Sequence, residues 1–179
     1  MKVLLVDDEP FILQGLSVLI DWAAEGCEIV KMASNGKEAL LYLEDHEADL
    51  VITDIKMPVM SGLELLEQIR GRQISDAFFI ILSGYNDFSY AQKAIRYACM
   101  DYLVKPVQKE ALLELIRKAK SSLAVTEQNA ENERRMQEMQ LKQYIISLLR
   151  GKQTEEELKY VKERLRIGDG GLRYIHISM

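Results

Sequence analysis

Five short apolar runs, each followed by a stretch of helical periodicity, occupy the first 120 residues and leave few folds open. The runs are Lys2 to Val6, Cys27 to Ala33, Leu50 to Thr53, Ala77 to Leu82 and Tyr102 to Val104, rich in Val, Ile, Leu or Phe. Strands covered on both faces need this kind of continuous apolar run. Phe11 to Ile20, Gly36 to Asp45, Leu63 to Arg70 and Asp87 to Tyr97 instead place apolar side chains three and four residues apart, and Asn35-Gly36 reads as a turn or cap before the second. Strand and helix in alternation, joined by right-handed crossovers, predict an α/β fold in which a doubly wound, five-stranded parallel sheet lies between two layers of helices.

From Lys109 the strand signal stops, and helix formers run to Arg150 without Gly or Pro, which predicts one long helix. Its first turns carry Leu112, Ile116, Ala119 and Leu123 at spacings of four and three. That seam weakens through Thr126 and Ala130 and resumes with a shifted phase at Met136, Met139, Gln143 and Ile146. The early part suits a helix packed on its own domain; the polar part suits a dimeric coiled-coil linker. After Gly151, Thr154-Glu155-Glu156-Glu157 opens a further helix to about Arg166, Gly168-Asp169-Gly170-Gly171 turns the chain, and Leu172 to Ser178 reads as a strand. The expected organisation is therefore a domain over 1–120, a helical linker over 121–150, and the start of a truncated second segment over 151–179.

Composition removes several function classes. No apolar run approaches the roughly 18 residues of a membrane helix, and Asp7, Asp8 and Glu9 end the N-terminal apolar stretch too early for a signal peptide. A cytoplasmic location without membrane contact is expected. A net charge of −5, with the acidic excess in the first 120 residues and no basic stripe, makes the chain by itself a poor nucleic-acid binder. Cys27 and Cys99 are too few for a disulfide framework and lack Cys or His neighbours at metal-ligand spacing, so reduced, partly buried thiols are expected.

Ligands of parallel α/β sheets bind beyond the carboxyl ends of the strands, and the residues there share a chemistry. The first strand runs into Asp7-Asp8-Glu9, the third into Asp54, the fourth into Ser83-Gly84 and the fifth into Lys105-Pro106. One lysine cannot neutralise Asp7, Asp8 and Asp54 together, so a divalent cation is expected. With only hard oxygen donors and no His or Cys, the choice falls on Mg²⁺ or Mn²⁺. Mg²⁺ keeps waters and recruits phosphate oxygens, and a carboxylate beside it can attack phosphorus to give an aspartyl phosphate, with Lys105 and Ser83 holding the phosphoryl oxygens. Each motif alone has a plainer reading, as a helix cap or an ordinary turn; their occurrence at successive strand ends does not.

In this order, Val6-Asp7-Asp8-Glu9, Asp54-Ile55-Lys56-Met57-Pro58-Val59-Met60-Ser61-Gly62, Ile81-Leu82-Ser83-Gly84 and Asp101-Tyr102-Leu103-Val104-Lys105-Pro106 resemble the receiver domains of bacterial two-component response regulators. The resemblance covers residues 1 to about 120 and implies the flavodoxin-like strand order 2-1-3-4-5. It implies Asp54 as phosphoacceptor for a sensor histidine kinase, Asp8 and the backbone carbonyl of Lys56 as direct Mg²⁺ ligands, and Asp7 acting through metal-bound water. It further implies that Lys105 pairs with the phosphoryl group, that Ser83 and Tyr102 form the switch pair, and that the Lys105–Pro106 bond is cis. Ser83 stands where Thr is commoner and keeps the hydroxyl. Lys56 and Tyr85 fall where the family governs water access, with no Asn, Gln or Glu to orient that water, so a long-lived phosphoryl group is expected.

The block Leu82 to Ala94, with Ile20-Asp21-Trp22 and the helical tail, resembles the subgroup that joins its receiver through a coiled coil to an AraC-type DNA-binding domain. That resemblance implies a homodimer formed through receiver and linker, and DNA contact only through an output domain absent from these residues, which contain no helix-turn-helix pattern. Two other readings compete. A phosphatase of the haloacid-dehalogenase type also forms an aspartyl phosphate, but has an acid Asp two residues after its nucleophile, where this chain has Lys56. A receiver-like dimerisation module that is never phosphorylated is opposed by the intact set Asp7, Asp8, Asp54, Ser83 and Lys105. Turnover of small substrates is not expected.

Overall fold

The computed structural model describes residues 1–84, 97, 99–149 and 159. The helix read over Asp87 to Tyr97, Tyr85, and the elements read after Gly151 lie outside the described residues, apart from Tyr97 and Lys159 themselves. Contacts divide the chain into two units, Met1–Ala124 and Val125–Met179.

In chain order the first unit contains β1 (Lys2–Val6), α1 (Pro10–Leu19), β2 (Glu28–Ala33), α2 (Gly36–Asp45), β3 (Leu50–Asp54), α3 (Gly62–Arg72), β4 (Phe78–Ser83), β5 (Asp101–Val104) and the start of α4 (Lys109–Leu149). All strand pairs are parallel and the order is β2-β1-β3-β4-β5, the doubly wound arrangement expected. Burial follows position in the sheet. All five residues of β3 are buried and β4 is buried from its second residue, whereas the edge strands β2 and β5 stay largely half-exposed.

Alternate residues of each central strand serve opposite faces. Val3, Leu5, Leu50, Ile52, Ile80 and Leu82 pack with Leu16 of α1, with Ile20 just after it, and with Leu112, Ile116 and Ala119 of α4. Leu4, Val6, Val51 and Phe79 pack with Ala39, Leu40 and Leu43 of α2 and Leu65, Leu66 and Ile69 of α3. A side chain of this size is worth about 1.5–3 kcal/mol when fully buried, and these two layers fix the sheet. Trp22 closes the end of α1, buried, with its indole N–H donating to the Leu16 carbonyl at 3.1 Å. Cys27 is buried and Cys99 half-buried, both free, and desolvation pushes both thiols up.

Element ends differ from the sequence reading by one or two residues, for identifiable reasons. Pro10 opens α1, where its missing N–H costs nothing. The capping box Ser61/Glu64 starts α3 at Gly62. β3 and β4 each extend one residue further, through Asp54 and Ser83, because Ile55 N–H donates to the Leu82 carbonyl at 3.1 Å and Lys105 N–H to the Ser83 carbonyl at 2.7 Å. The two residues read as following their strands are thus their last members. In α4, Leu112, Ile116 and Ala119 are fully buried and Leu123 half-buried, while Met136, Met139 and Ile146 are exposed. No helix among the described residues is long and apolar enough to cross a membrane.

Candidate functional site

In this strand order the chain leaves β1 for β2 on one side and later passes to β3 on the other, so the crevice beyond the ends of β1 and β3 is the topological switch point. Register brings the acidic residues to it. Val6 is opposite Thr53 and Asp54 opposite Leu82, which sets Asp7 and Asp54 side by side. Ser83 opposite Val104 then carries Lys105 to the same rim.

There the Lys105 ammonium lies 2.7 Å from Asp7 Oδ2 and 2.6 Å from Asp54 Oδ1. Asp7 is fully buried and Asp54 8% exposed, so one cation bridges two carboxylates with little solvent to screen them. Each carboxylate has one backbone donor besides: Glu9 N–H on Asp7 Oδ1 at 3.0 Å and Lys56 N–H on Asp54 Oδ2 at 2.8 Å. Burial disfavours the Lys105 ammonium, but hydrogen bonds and charge from Asp54 and Asp7 outweigh that and raise its pKa. Asp8 and the Lys56 side chain are exposed at the mouth. Ser83 is 5% exposed at the end of β4. Tyr102, half-buried in β5, packs with Ile55, Leu63 and Ile81. The Lys105–Pro106 peptide bond is cis. Asp7, Asp54, Ser83 and Lys105 thus share one rim, with Asp8 and Lys56 at its edge; Tyr85 lies outside the described residues.

The donor set suits a hard cation. Among the described residues no three His, Cys, Asp or Glu side chains gather into a metal cage, but Mg²⁺ keeps several waters and takes only one or two carboxylates from the protein. Asp7 and Asp54 together carry one more charge than Lys105 neutralises, and Asp8 adds another. The residues fit a water-rich Mg²⁺ or Mn²⁺ site and not a zinc site.

The sequence places Gly36 in a turn or cap and Gly62 at the end of the acceptor-loop motif, but does not reveal that both shape this rim by close backbone approach. A Cβ at Gly62 would collide with the Asp54 carbonyl oxygen and stand 2.7 Å from Thr53 Oγ1. A Cβ at Gly36 would stand 2.8 Å from the Met60 carbonyl oxygen. The available signal was a glycine as first residue of a helix, twice, where a better helix former is the default. Met57 is buried and Met60 half-buried, both in the layer on the α2 and α3 side.

The model of the response regulator receiver domain family matches residues 3–117. A transcriptional regulatory protein of Bacillus subtilis, YesN, is 39% identical over 112 residues, which span 63% of this chain and 30% of YesN. The transcriptional regulatory protein HptR of Staphylococcus aureus is 42% identical over 115 residues, 64% of this chain and 44% of HptR. The chain therefore matches less than half the length of either. Among solved structures, the REC domain of AraT, a response regulator from Geobacillus stearothermophilus, superposes with a TM-score of 0.65 at 39% identity, covering 70% of this chain and 97% of that one.

Proposed function

Since the chain belongs to the response regulator receiver domain family, we propose that a sensor histidine kinase phosphorylates it on Asp54 and that the phosphorylated form dimerises to control transcription. The observation that carries this reading is the pair of contacts from Lys105 to Asp7 and Asp54 in a buried crevice. Asp54 is thereby held in one orientation, with Oδ1 on the Lys105 ammonium and Oδ2 on the Lys56 N–H. Transfer forms a bond between an Asp54 carboxylate oxygen and phosphorus and breaks the P–N bond of the donor phosphohistidine, whose electron pair returns to the imidazole.

Asp8, Asp54 and the Lys56 carbonyl would hold Mg²⁺, with Asp7 one water further out. When bound, the ion supplies neutralising charge to the phosphoryl oxygens. Once Asp54 is phosphorylated, its carboxylate has become an acyl phosphate and its own negative charge is gone, and the Lys105 ammonium turns to a phosphoryl oxygen while keeping Asp7. Ser83, beside Asp54 on the neighbouring strand, donates its hydroxyl to another phosphoryl oxygen. Tyr102 then moves toward the volume that the hydroxyl leaves, changing the surface at β5. Lys56, with Tyr85, limits water access and keeps hydrolysis slow.

The proposed organisation is a receiver over 1–120, a helical linker over 121–150 and a further segment from 151. The exposed seam of Met136, Met139 and Ile146 supports pairing with a second copy through the linker. An output through DNA, in a domain outside these residues, is supported by the transcriptional regulatory relatives, which are more than twice as long as their matched stretches.

Mass spectrometry after incubation with acetyl phosphate tests the reading. One phosphoryl group is expected, only with Mg²⁺ or Mn²⁺ present, and none on Asp54→Asn. Undiminished labelling of that variant at another residue refutes the assignment, and sustained turnover of small phosphate esters points to a phosphatase.

A further inference from the structure

The loop between β3 and α3, which carries the Lys56 carbonyl, is braced from outside by the first turn of α2. Gly36, buried as the first residue of that helix, donates its N–H to the Met60 carbonyl at 3.0 Å. This is one of the four donors a helix start leaves without an internal partner. A Cβ on Gly36 would meet the Met60 carbonyl oxygen and Met60 Cγ, both at 2.8 Å, and the Ser61 carbonyl oxygen at 3.0 Å. Among the described glycines only Gly26 has a positive φ, so close approach rather than left-handed backbone is what position 36 demands. We propose that Gly36 is a positioning residue for the acceptor loop, holding the Met60 carbonyl so that the Lys56 carbonyl and the Asp54 carboxylate keep the spacing Mg²⁺ requires.

Three observations support this, on the premise that Asp54 and the Lys56 carbonyl are metal ligands. The loop is under backbone strain: Val59, β-branched, has φ 69, a conformation that persists only when neighbours enforce it. The loop is closed on itself, with Met60 N–H donating to the Pro58 carbonyl at 2.8 Å and Gly62 N–H to the Ile55 carbonyl at 3.1 Å, so a displacement at Met60 reaches Lys56. The brace is itself fixed. Asn35 accepts from Glu38 N–H at 3.0 Å, Glu38 accepts from the Ser34 N–H and hydroxyl at 2.9 Å, and Lys31 pairs with Glu38 at 2.6 Å. Two of the three atoms met are backbone carbonyl oxygens, so moving the Met60 side chain alone does not make room for a methyl group.

The test is Mg²⁺ titration calorimetry together with thermal melting on the full chain, comparing the parent, Gly36→Ala and Gly71→Ala. Gly71 is a control inside α3, where a Cβ meets nothing within 4 Å. Gly36→Ala is expected to bind Mg²⁺ about 10-fold more weakly, and Gly71→Ala as tightly as the parent. A Gly36→Ala protein that melts lower but keeps parental Mg²⁺ affinity overturns the proposal, because a purely structural role predicts that result. Should that variant not fold, the parent decides by NMR: the Gly36 amide resonance shifts with the same Mg²⁺ midpoint as Lys56, or stays still and overturns the coupling. A parent that binds no Mg²⁺ and is not labelled at Asp54 overturns both this proposal and the functional reading, whereas a labelled parent with an indifferent Gly36→Ala overturns this one alone.

Discussion

Replacing Lys105 by methionine removes the ammonium that bridges Asp7 and Asp54 and keeps an apolar stem of similar length. In the parent that ammonium lies 2.7 Å from one carboxylate and 2.6 Å from the other, with Asp7 wholly buried. Removing one partner of a buried ion pair costs about 3–5 kcal/mol, since the charge left behind has lost both water and counter-ion. Each carboxylate retains a backbone donor, from Glu9 and Lys56, and the Lys105 side chain is 19% exposed, so water can partly enter. The low end, about 3 kcal/mol, is therefore expected, equivalent to a melting temperature about 10 °C lower. The assay is thermal unfolding by circular dichroism, in EDTA and in Mg²⁺. On the proposed reading a divalent cation takes over the missing neutralisation, so Mg²⁺ should raise the melting temperature of Lys105→Met by more than that of the parent. The sign with pH follows from the raised Lys105 pKa: the parent's advantage is complete below the ordinary value of 10.5 and fades as pH rises through the higher folded value. A metal-free variant that melts within about 2 °C of the parent, or equal Mg²⁺ increments in the two proteins, refutes the reasoning.

Three further expectations concern other parts of the domain. Arg70 donates to the carbonyls of Ser75 at 2.9 Å and Ala77 at 2.7 Å and lies over the Phe79 ring, so Arg70→Ala should cost about 2 kcal/mol in urea unfolding and Arg70→Lys should restore little; full rescue by lysine contradicts the two-armed role. Glu38 is held at about 2 by Lys31 and by the Ser34 N–H and hydroxyl, so its contribution is complete above pH 4.5 and lost as pH falls toward 2; solvent screening limits it to under about 1 kcal/mol, and a Glu38→Gln difference that persists unchanged at the acid end is the contrary result. On the proposed reading Tyr85→Ala should shorten the phosphoryl half-life at equal Mg²⁺, and an unchanged half-life shows that the ring does not shield the site.

The fold was legible because the physics that sets it is local and repeated. An unalternating run such as Leu50-Val51-Ile52-Thr53 suits a strand covered on both faces, the helical stretches on either side supply the covering layers, and β3 is buried at every residue. The gathering of Asp7, Asp54, Ser83 and Lys105 on one rim was legible for a related reason: parallel strands all end on the same side, so residues at their ends meet whatever the loops do. The inner shape of the rim was not legible. That Gly62 must lie against the Asp54 carbonyl, or Gly36 against Met60, depends on how far two backbones approach, and a glycine at the start of a helix does not encode that distance. The sharing of one ammonium between two carboxylates was equally hidden, because strand-end positions fix neighbourhood and not pairing.

On the proposed reading, the same backbone geometry also selects the route by which phosphorylation reaches the rest of the chain. Lys105 N–H is bonded to the Ser83 carbonyl at 2.7 Å, so the two groups that would grip the phosphoryl oxygens are already tied across β4 and β5. A pull on either one loads β5. Unlike β3, buried on both faces, β5 is an edge strand, half-exposed at Asp101, Tyr102 and Leu103, and it can shift without opening the core. Asp101 joins it to α4 through Lys118 at 2.7 Å; burial pushes that carboxyl up, and Lys118 with the Tyr102 N–H more than offsets this, leaving it low and ionised. A movement of β5 is thus delivered to α4 at Lys118, one residue before the fully buried Ala119. The first turns of α4 are anchored by Leu112, Ile116 and Ala119 and cannot slide freely, so the accessible response is a change in how α4 is presented to a second copy.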